Sequence, residues 1–313
     1  MINSFAEDVL HGLSAPQKSL KSKYFYDDSG SRIFQEIMVM PEYYLTDAEF
    51  EILSLQSRQI YHALNFKGPF NIVELGPGDG FKTFKLLEYL VKTNREFFYV
   101  PIDISVEAID ALTLRLHEKL PELNVKPQVG DYFNELKKNV ESQYPSILLF
   151  LGGNIGNYDA DRALELLNLF NMRMKVDDKL LIGFDLKKNP IVIRNAYDDP
   201  HGITKRFNIN LLLRINRELG ADFKIDDFDF YCSYDPIEGV VKSYLVSLRN
   251  QKVKIKVLNK TFNFGYGELI WTEMSKKYDF EEIQELAEKS NFSIIDSFSD
   301  CKAYFTDSLW RKL

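Results

Sequence analysis

The residues with the clearest chemical potential lie in Asn71-Ile72-Val73-Glu74-Leu75-Gly76-Pro77-Gly78-Asp79-Gly80. Asn71 to Glu74 reads as the end of a buried strand. Gly76, Gly78 and Gly80 then make a turn, and Phe81-Lys82-Thr83-Phe84-Lys85-Leu86-Leu87 starts a helical pattern. Glycine permits positive φ and lets a ligand approach the backbone. A helix start offers N–H groups with no partner inside the helix. Together they form a nest of the kind that takes a nucleotide. Asp103 ends the apolar run Val100-Pro101-Ile102, where a carboxylate can accept both hydroxyls of a ribose. Asp131-Tyr132 adds an acid and an aromatic ring, suited to the amino group and face of an adenine.

Two cofactors compete for this pattern. A dinucleotide fingerprint requires G-x-G-x-x-G, but here the third glycine comes one residue early and Phe81 stands where the last glycine belongs. Glu74 precedes Leu75-Gly76, and an acid followed by G-x-G-x-G is the pattern of S-adenosylmethionine methyltransferases. The acid or the neighbouring backbone would take the methionine ammonium, while Gly76 and Gly78 admit the cofactor. Asp103 serves NAD and S-adenosylmethionine equally; Asp131-Tyr132 favours the latter. A nucleotide-like fold without cofactor is the bland alternative.

The elements that must position these groups are legible in order. After the glycine turn come a helix, a strand (97–102), a helix (106–120), a strand (125–129), a strand (146–151), a helix (161–174) and a strand (179–185). Unbroken apolar strands such as Ile147-Leu148-Leu149-Phe150-Leu151, alternating with helices, predict a parallel sheet covered on both faces. The fold class is α/β: a doubly wound Rossmann-type domain whose ligands lie beyond the carboxyl ends of the strands. Towards the N-terminus, Ser31 is expected to cap a short helix carrying Ile33, Phe34 and Ile37. Thr46 or Asp47 is expected to cap a second helix running to about residue 64.

From about residue 190 the pattern changes. A helix over 205–219 stops at Gly220, and strands at 228–233, 240–248, 252–258 and 269–278 read as antiparallel. Lys252, Lys254 and Lys256 alternate with apolar residues, giving one solvated face. A helix (280–289) and strands around 294–295 and 303–305 are expected to return to the first sheet. The expected domains are 48–187 plus 279–313 for S-adenosylmethionine, and 1–47 plus 188–278, an α+β domain, for substrate.

The chain has 313 residues, 45% hydrophobic and 27% charged, with net charge −7. Nucleic acid and anionic membranes call for a basic surface, so a small-molecule partner is expected, with no nucleic acid and no membrane. No signal peptide or spanning segment is read, and a cytoplasmic monomer is expected. Cys232 and Cys301 lack metal spacing, as do the four histidines His11, His62, His117 and His201. No metal is inferred.

Several further motifs are specific: Lys23-Tyr24-Phe25-Tyr26-Asp27 with Gly30-Ser31, Pro41-Glu42-Tyr43-Tyr44, Phe150-Leu151-Gly152-Gly153 and Ile155-Gly156-Asn157. They continue through Ala196-Tyr197-Asp198-Asp199, Gly202-Ile203-Thr204, Phe207-Asn208 and Thr272-Glu273-Met274-Ser275. With these, nearly the whole chain resembles the bacterial histidine N-alpha-methyltransferases of ergothioneine synthesis. The resemblance implies S-adenosylmethionine as cofactor and trimethylation of the α-amino group of L-histidine. It implies that Tyr26 and Phe34 stand near the reacting centre. Tyr26, Glu74, Gly76, Gly78, Lys82, Asp103, Asp131 and Tyr132 would hold the cofactor. Tyr43, Gly152, Asn157 and Tyr197 would grip the amino acid, and Glu273 and Ser275 would read its imidazole.

The implied roles are chemically coherent. Tyrosine hydroxyls and an asparagine amide supply neutral donors to a carboxylate. Glu273 and Ser275, two apart on a strand, share a face and could serve the two imidazole nitrogens. Asp198 and Asp199 are read as turn and helix-start residues rather than an acid–base pair. Asn154 is an additional polar group close to Asn157. The alternatives are an N-methyltransferase for another amino acid or small amine, and a non-catalytic S-adenosylmethionine-binding module. An NAD-dependent oxidoreductase is more distant.

Overall fold

A computed structural model describes residues 4–130 and 143–313. The chain divides into two compact units, one of residues 1–44 and 188–275, the other of residues 45–187 and 276–313.

The second unit is built on an eight-stranded sheet among the described residues. Its strands are β1 (Phe70–Leu75), β2 (Phe97–Asp103), β3 (Asn124–Val125), β4 (Gln128–Val129), β5 (Ser146–Phe150), β6 (Lys179–Asp185), β12 (Phe292–Ser299) and β13 (Phe305–Lys312). The order is β12-β13-β6-β5-β1-β2-β3, with β4 also on β2. β1 pairs in parallel with β2 and β5, and β5 with β6. β13 runs antiparallel to β6, and β12 antiparallel to β13. All of β1 and β6 is buried, which requires cover on both faces and explains why neither strand alternates. One face packs on α7 (Ala160–Arg173) through Ala163, Leu166, Leu167 and Phe170, and on α10 (Phe280–Lys289) through Ile283 and Ala287. α10 starts in a capping box: Asp279 accepts from the Glu282 N–H and Glu282 reaches back. The unit also contains α4 (Ser57–Leu64), α5 (Phe84–Lys92) and α6 (Val106–Lys119). Helix α3 (Tyr44–Leu55) begins at its boundary.

The first unit contains α1 (Ser4–Ser14), α2 (Asp28–Met38), α8 (Pro190–Tyr197) and α9 (Ile203–Leu219). Its strands are β7 (Phe228–Asp235), β8 (Val240–Ser247), β9 (Gln251–Ile255), β10 (Lys260–Phe264) and β11 (Leu269–Lys276). β7 and β8 are antiparallel and share a sheet with β11; β9 and β10 form a separate antiparallel hairpin. The core joins Phe5, Val9 and Leu13 of α1 to Phe207, Leu211 and Ile215 of α9, to Leu245 and to Ile270. Lys252 and Lys254 are exposed while Val253 and Ile255 are buried, as the alternation requires.

Several local expectations need correction. Asp27, not Ser31, caps α2, accepting the Gly30 N–H at 2.7 Å. Neither Thr46 nor Asp47 starts a helix, since α3 begins at Tyr44 and the helical run breaks at Gln56. The strand expected over 125–129 is two short strands parted at Lys126-Pro127, where proline supplies no N–H to a ladder. The strand expected over 252–258 turns at Asn259, in left-handed backbone at φ 46°, and returns as the unforeseen β10. The final strand lies after Ala303-Tyr304 rather than on them. Asp300 accepts the N–H groups of Lys302, Tyr304 and Phe305, and Ala303 takes φ 51°, so this segment is the turn.

Asp300 is 6% exposed and satisfies those three donors. Asp300→Ala should therefore cost roughly 1–3 kcal/mol in urea unfolding, by orphaning buried N–H groups. A loss no larger than that of an exposed Asp296→Ala control would refute the assignment.

Candidate active site

At the end of β1 the backbone turns sharply. Gly76, Gly78 and Gly80 all have positive φ (64°, 57° and 65°), which side-chain-bearing residues adopt only with strain. A Cβ on Gly80 would lie 2.4 Å from Leu112 Cδ1, whereas one on Gly78 would meet nothing within 4 Å. Gly80 is thus glycine for packing and conformation, and Gly78 faces open space. The Gly76 N–H donates to the Ile102 carbonyl at 2.9 Å, tying the turn to the end of β2. α5 starts three residues later than the pattern suggested, after a turn over Phe81 to Thr83. The Phe81 N–H instead donates to Asp79 at 3.0 Å, and its ring stacks on Phe50.

Glu74 does not point into that open space. It is 3% exposed, and its two oxygens accept the Thr83 and Tyr99 hydroxyls, each at 2.5 Å. Burial raises its pKa to about 7, against the opposing pull of those hydroxyls and of Lys82. Lys82 donates to Glu49, whose other oxygen accepts the Gly152 N–H at 2.7 Å. Burial alone would lower the Lys82 pKa, but Glu49, Asp307 and Glu74 together raise it. Lys82 Nζ would lie 3.5 Å from a Cβ on Gly152, so ammonium and loop are neighbours. Asp103, half-buried at the end of β2, accepts the Ser105 N–H at 3.0 Å; burial raises its pKa against that donor and the Ile104 N–H.

Asn157 is exposed at the end of a 3-10 turn over Asn154–Asn157. The Asn154 amide donates to the Leu151 carbonyl at 2.8 Å, so this added polar group clamps its own loop. Asp131 and Tyr132 lie outside the described residues.

In the first unit, five of the expected site residues form one continuous line. The rings of Tyr26 and Phe34 meet edge to face with centroids 5.4 Å apart. Phe34 meets Tyr43 at 6.4 Å, and Tyr43 meets Tyr197 at 6.2 Å, both edge to face. The Tyr197 hydroxyl lies 3.0 Å from the Ser275 hydroxyl. Tyr26 is 47% exposed, Tyr197 only 9%, so the line runs inward from solvent. Glu273 is half-buried two residues before Ser275 on β11.

Two residues that sequence reasoning left without a role organise this line. Phe207 on α9 packs against Phe25, Tyr26 and Phe34, with centroids 4.6, 5.6 and 5.8 Å away. Asp27 accepts the Gly30 N–H, the Asn210 amide at 2.8 Å and the Arg217 guanidinium. Burial opposes ionisation of Asp27, but these donors hold its pKa below the usual carboxylate range. The spacing of Asp27 and Gly30 is an N-cap signature that could have found the first contact; Arg217 is too distant in sequence for any local signal. Asp199, read as a helix-start residue, accepts the N–H groups of His201, Ile203 and Thr204, which excludes it from an acid–base pair.

A doubly wound sheet with a glycine turn after β1 and a carboxylate ending β2 defines the class: a Rossmann-type domain built for a nucleoside-bearing cofactor. The model of the family described as histidine-specific methyltransferase, SAM-dependent, matches residues 5–312, and the chain belongs to that family. Among relatives, a histidine N-alpha-methyltransferase of Mycobacterium tuberculosis is 35% identical over 87% of this chain and 83% of its own length. Another, of Mycolicibacterium smegmatis, is 34% identical over 90% and 87%. Ergothioneine biosynthesis protein 1 of Schizosaccharomyces pombe is 30% identical over 97% of this chain but only 41% of its own length. The cofactor is S-adenosylmethionine. The described residues suit it: Gly78 is open to a ligand at the turn, and the Asp103 carboxylate stands at the end of β2.

The environment of Glu74 sets a pH dependence. Its folded-state pKa, about 7, lies above the ordinary value of 4.5, so the folded protein keeps a proton the unfolded chain has released between those values. Stability must fall as pH rises through that window and level off above it. Urea unfolding at about pH 5 and about pH 8 should show Glu74→Gln escaping a loss on the order of 3 kcal/mol suffered by the wild type. Parallel pH profiles for the two proteins would contradict this.

Proposed function

We propose that this chain transfers methyl groups from S-adenosylmethionine to the α-amino group of L-histidine, in three rounds that end at the trimethylated betaine. The observation that carries the reading is the line of Tyr26, Phe34, Tyr43 and Tyr197 ending on Ser275. It offers aromatic faces, then neutral hydroxyls, within one unit. That unit takes the amino acid, and the sheet unit takes the cofactor at Gly76, Gly78, Lys82 and Asp103.

S-adenosylmethionine, when bound, supplies an electrophilic methyl group on a sulfonium. The residues of this chain bind, orient and select. Tyr43 and Tyr197 donate to the histidine carboxylate or accept from its amine without bringing a second cation. Ser275 and Glu273 address the imidazole nitrogens: a hydroxyl can donate or accept, and a carboxylate accepts. A side chain lacking those nitrogens would leave both groups unpaired, a strong basis for rejection. The attacking amine must be neutral, so the pocket selects the deprotonated form and fixes its lone pair. Each methylation makes the head group bulkier and the last fixes its positive charge. The faces of Tyr26 and Phe34 suit such a cation. With Glu74 held by Thr83 and Tyr99, the cofactor ammonium is assigned to the backbone around Leu75-Gly76.

Incubation with S-adenosylmethionine and each proteinogenic amino acid, followed by mass spectrometry, should give mono-, di- and trimethylated histidine. Turnover of a different amino acid and none of histidine would overturn the substrate. Glu273→Ala should raise KM for histidine roughly tenfold to a hundredfold while leaving S-adenosylhomocysteine affinity within about twofold. Equal loss of both would remove Glu273 from the substrate site.

A further inference from the structure

Asp307 is 0% exposed on β13, and both its carboxylate oxygens are buried without a hydrogen-bond donor among the described residues. What faces it is another carboxylate. Its cross-strand partner on β6 is Gly183, and a Cβ built there would lie 2.5 Å from Glu49 Oε1. Glu49 therefore passes directly over the neighbour of Asp307, within hydrogen-bonding reach of it. Glu49 is itself 0% exposed. Two ionised carboxylates cannot bond to each other, and burying both without compensation is prohibitive. One proton between them converts the repulsion into an O–H···O⁻ hydrogen bond, among the stronger kinds.

The charges that face Asp307 are few. Glu49 comes from α3, Lys82 from the turn before α5, and Glu74 of β1 stands behind Lys82. Gly183 on β6 and Phe298 on β12, its cross-strand neighbours, bring none. Lys82 is the one cation there among the described residues and is already joined to Glu49. Glu49 also accepts the Gly152 N–H, so it links the segment after the glycine turn to the loop after β5.

We propose that Asp307 is a positioning residue that stays protonated and donates to Glu49, locking the Lys82–Glu49–Gly152 clamp beside the cofactor turn. Burial and the adjacent Glu49 both push the Asp307 pKa well above the ordinary carboxylate range, in keeping with that proton. The consequence for binding rests on the reading that Lys82 and the glycine turn hold S-adenosylmethionine; the existence of the proton does not. If Asp307 ionised, Glu49 would lose its donor and turn from it, and Lys82 and Gly152 would move with it.

Infrared spectroscopy at about pH 9, above the Glu74 value of about 7, tests the proton directly. The wild type should keep the carbonyl stretch of a protonated carboxylic acid, and Asp307→Asn should lose it. An amide N–H can replace the O–H, so Asp307→Asn should bind S-adenosylhomocysteine within about threefold of wild type by calorimetry. Asp307→Leu, which removes the donor, should bind about tenfold or more weakly. A band unchanged in Asp307→Asn overturns the proposal, as does Asn weakening binding as much as Leu. Should Asp307→Leu fail to fold, the infrared comparison with Asp307→Asn still decides. A wild type that shows the band but does not bind S-adenosylhomocysteine would sink the cofactor reading and leave the proton assignment standing.

Discussion

The sheet unit depends on keeping too many acids dry. Among the described residues, Glu49, Glu74 and Asp307 gather around a single ammonium, Lys82. Ionising all of them would leave net negative charge in a medium that cannot solvate it. The structure meets the constraint in three ways. Lys82 is committed to Glu49; Glu74 takes two hydroxyl donors and a raised pKa; Asp307 is left facing Glu49. Each solution also fixes a piece of backbone. Thr83 is tied to β1, Tyr99 ties β2 to β1, and the Gly152 N–H is drawn to α3. The glycine turn and the loop after β5 thus owe their placement to a charge problem beneath them.

The first unit solves a different problem with aromatic packing. Four rings in edge contact, backed by Phe207, carry polar tips along an apolar line. Edge-to-face geometry suits ring quadrupoles and adds about 0.5–1.5 kcal/mol per pair beyond burial. The opening of the line is held by Asp27, a cap and ion-pair partner at once. It ties the start of α2 to α9, next to the point where Tyr26 meets Phe34. Gly30 belongs to the same device, because a Cβ there would collide with the Phe25 carbonyl at 1.7 Å.

Local errors in reading the sequence share one physical origin. Ser31 and Asp27 both satisfy cap chemistry, and only the Asn210 and Arg217 contacts from α9 decide between them. Val257 continues the apolar alternation of β9, but Asn259 enters left-handed backbone and reverses the chain. Ala303-Tyr304-Phe305 is apolar enough for a strand, yet a single buried Asp300 side chain makes Ala303-Tyr304 a turn and delays the strand to Phe305. In the first case side-chain contacts, in the second a left-handed residue and in the third a side chain bonded to backbone N–H groups outweighed the propensity of the surrounding residues.

The sequence by itself determined the class of sheet, the position of the cofactor turn and the family, because these rest on contiguous signals. Unbroken apolar strands, three alternate glycines and short motifs carry their meaning locally. It also named the members of the aromatic line, though only through resemblance. The tertiary structure alone decided that Glu74 faces inward, that Phe207 and Asp27 organise the line, and that Asp307 meets Glu49. Those facts follow from contacts between residues tens to hundreds of positions apart, where charge burial and packing act on spatial neighbours.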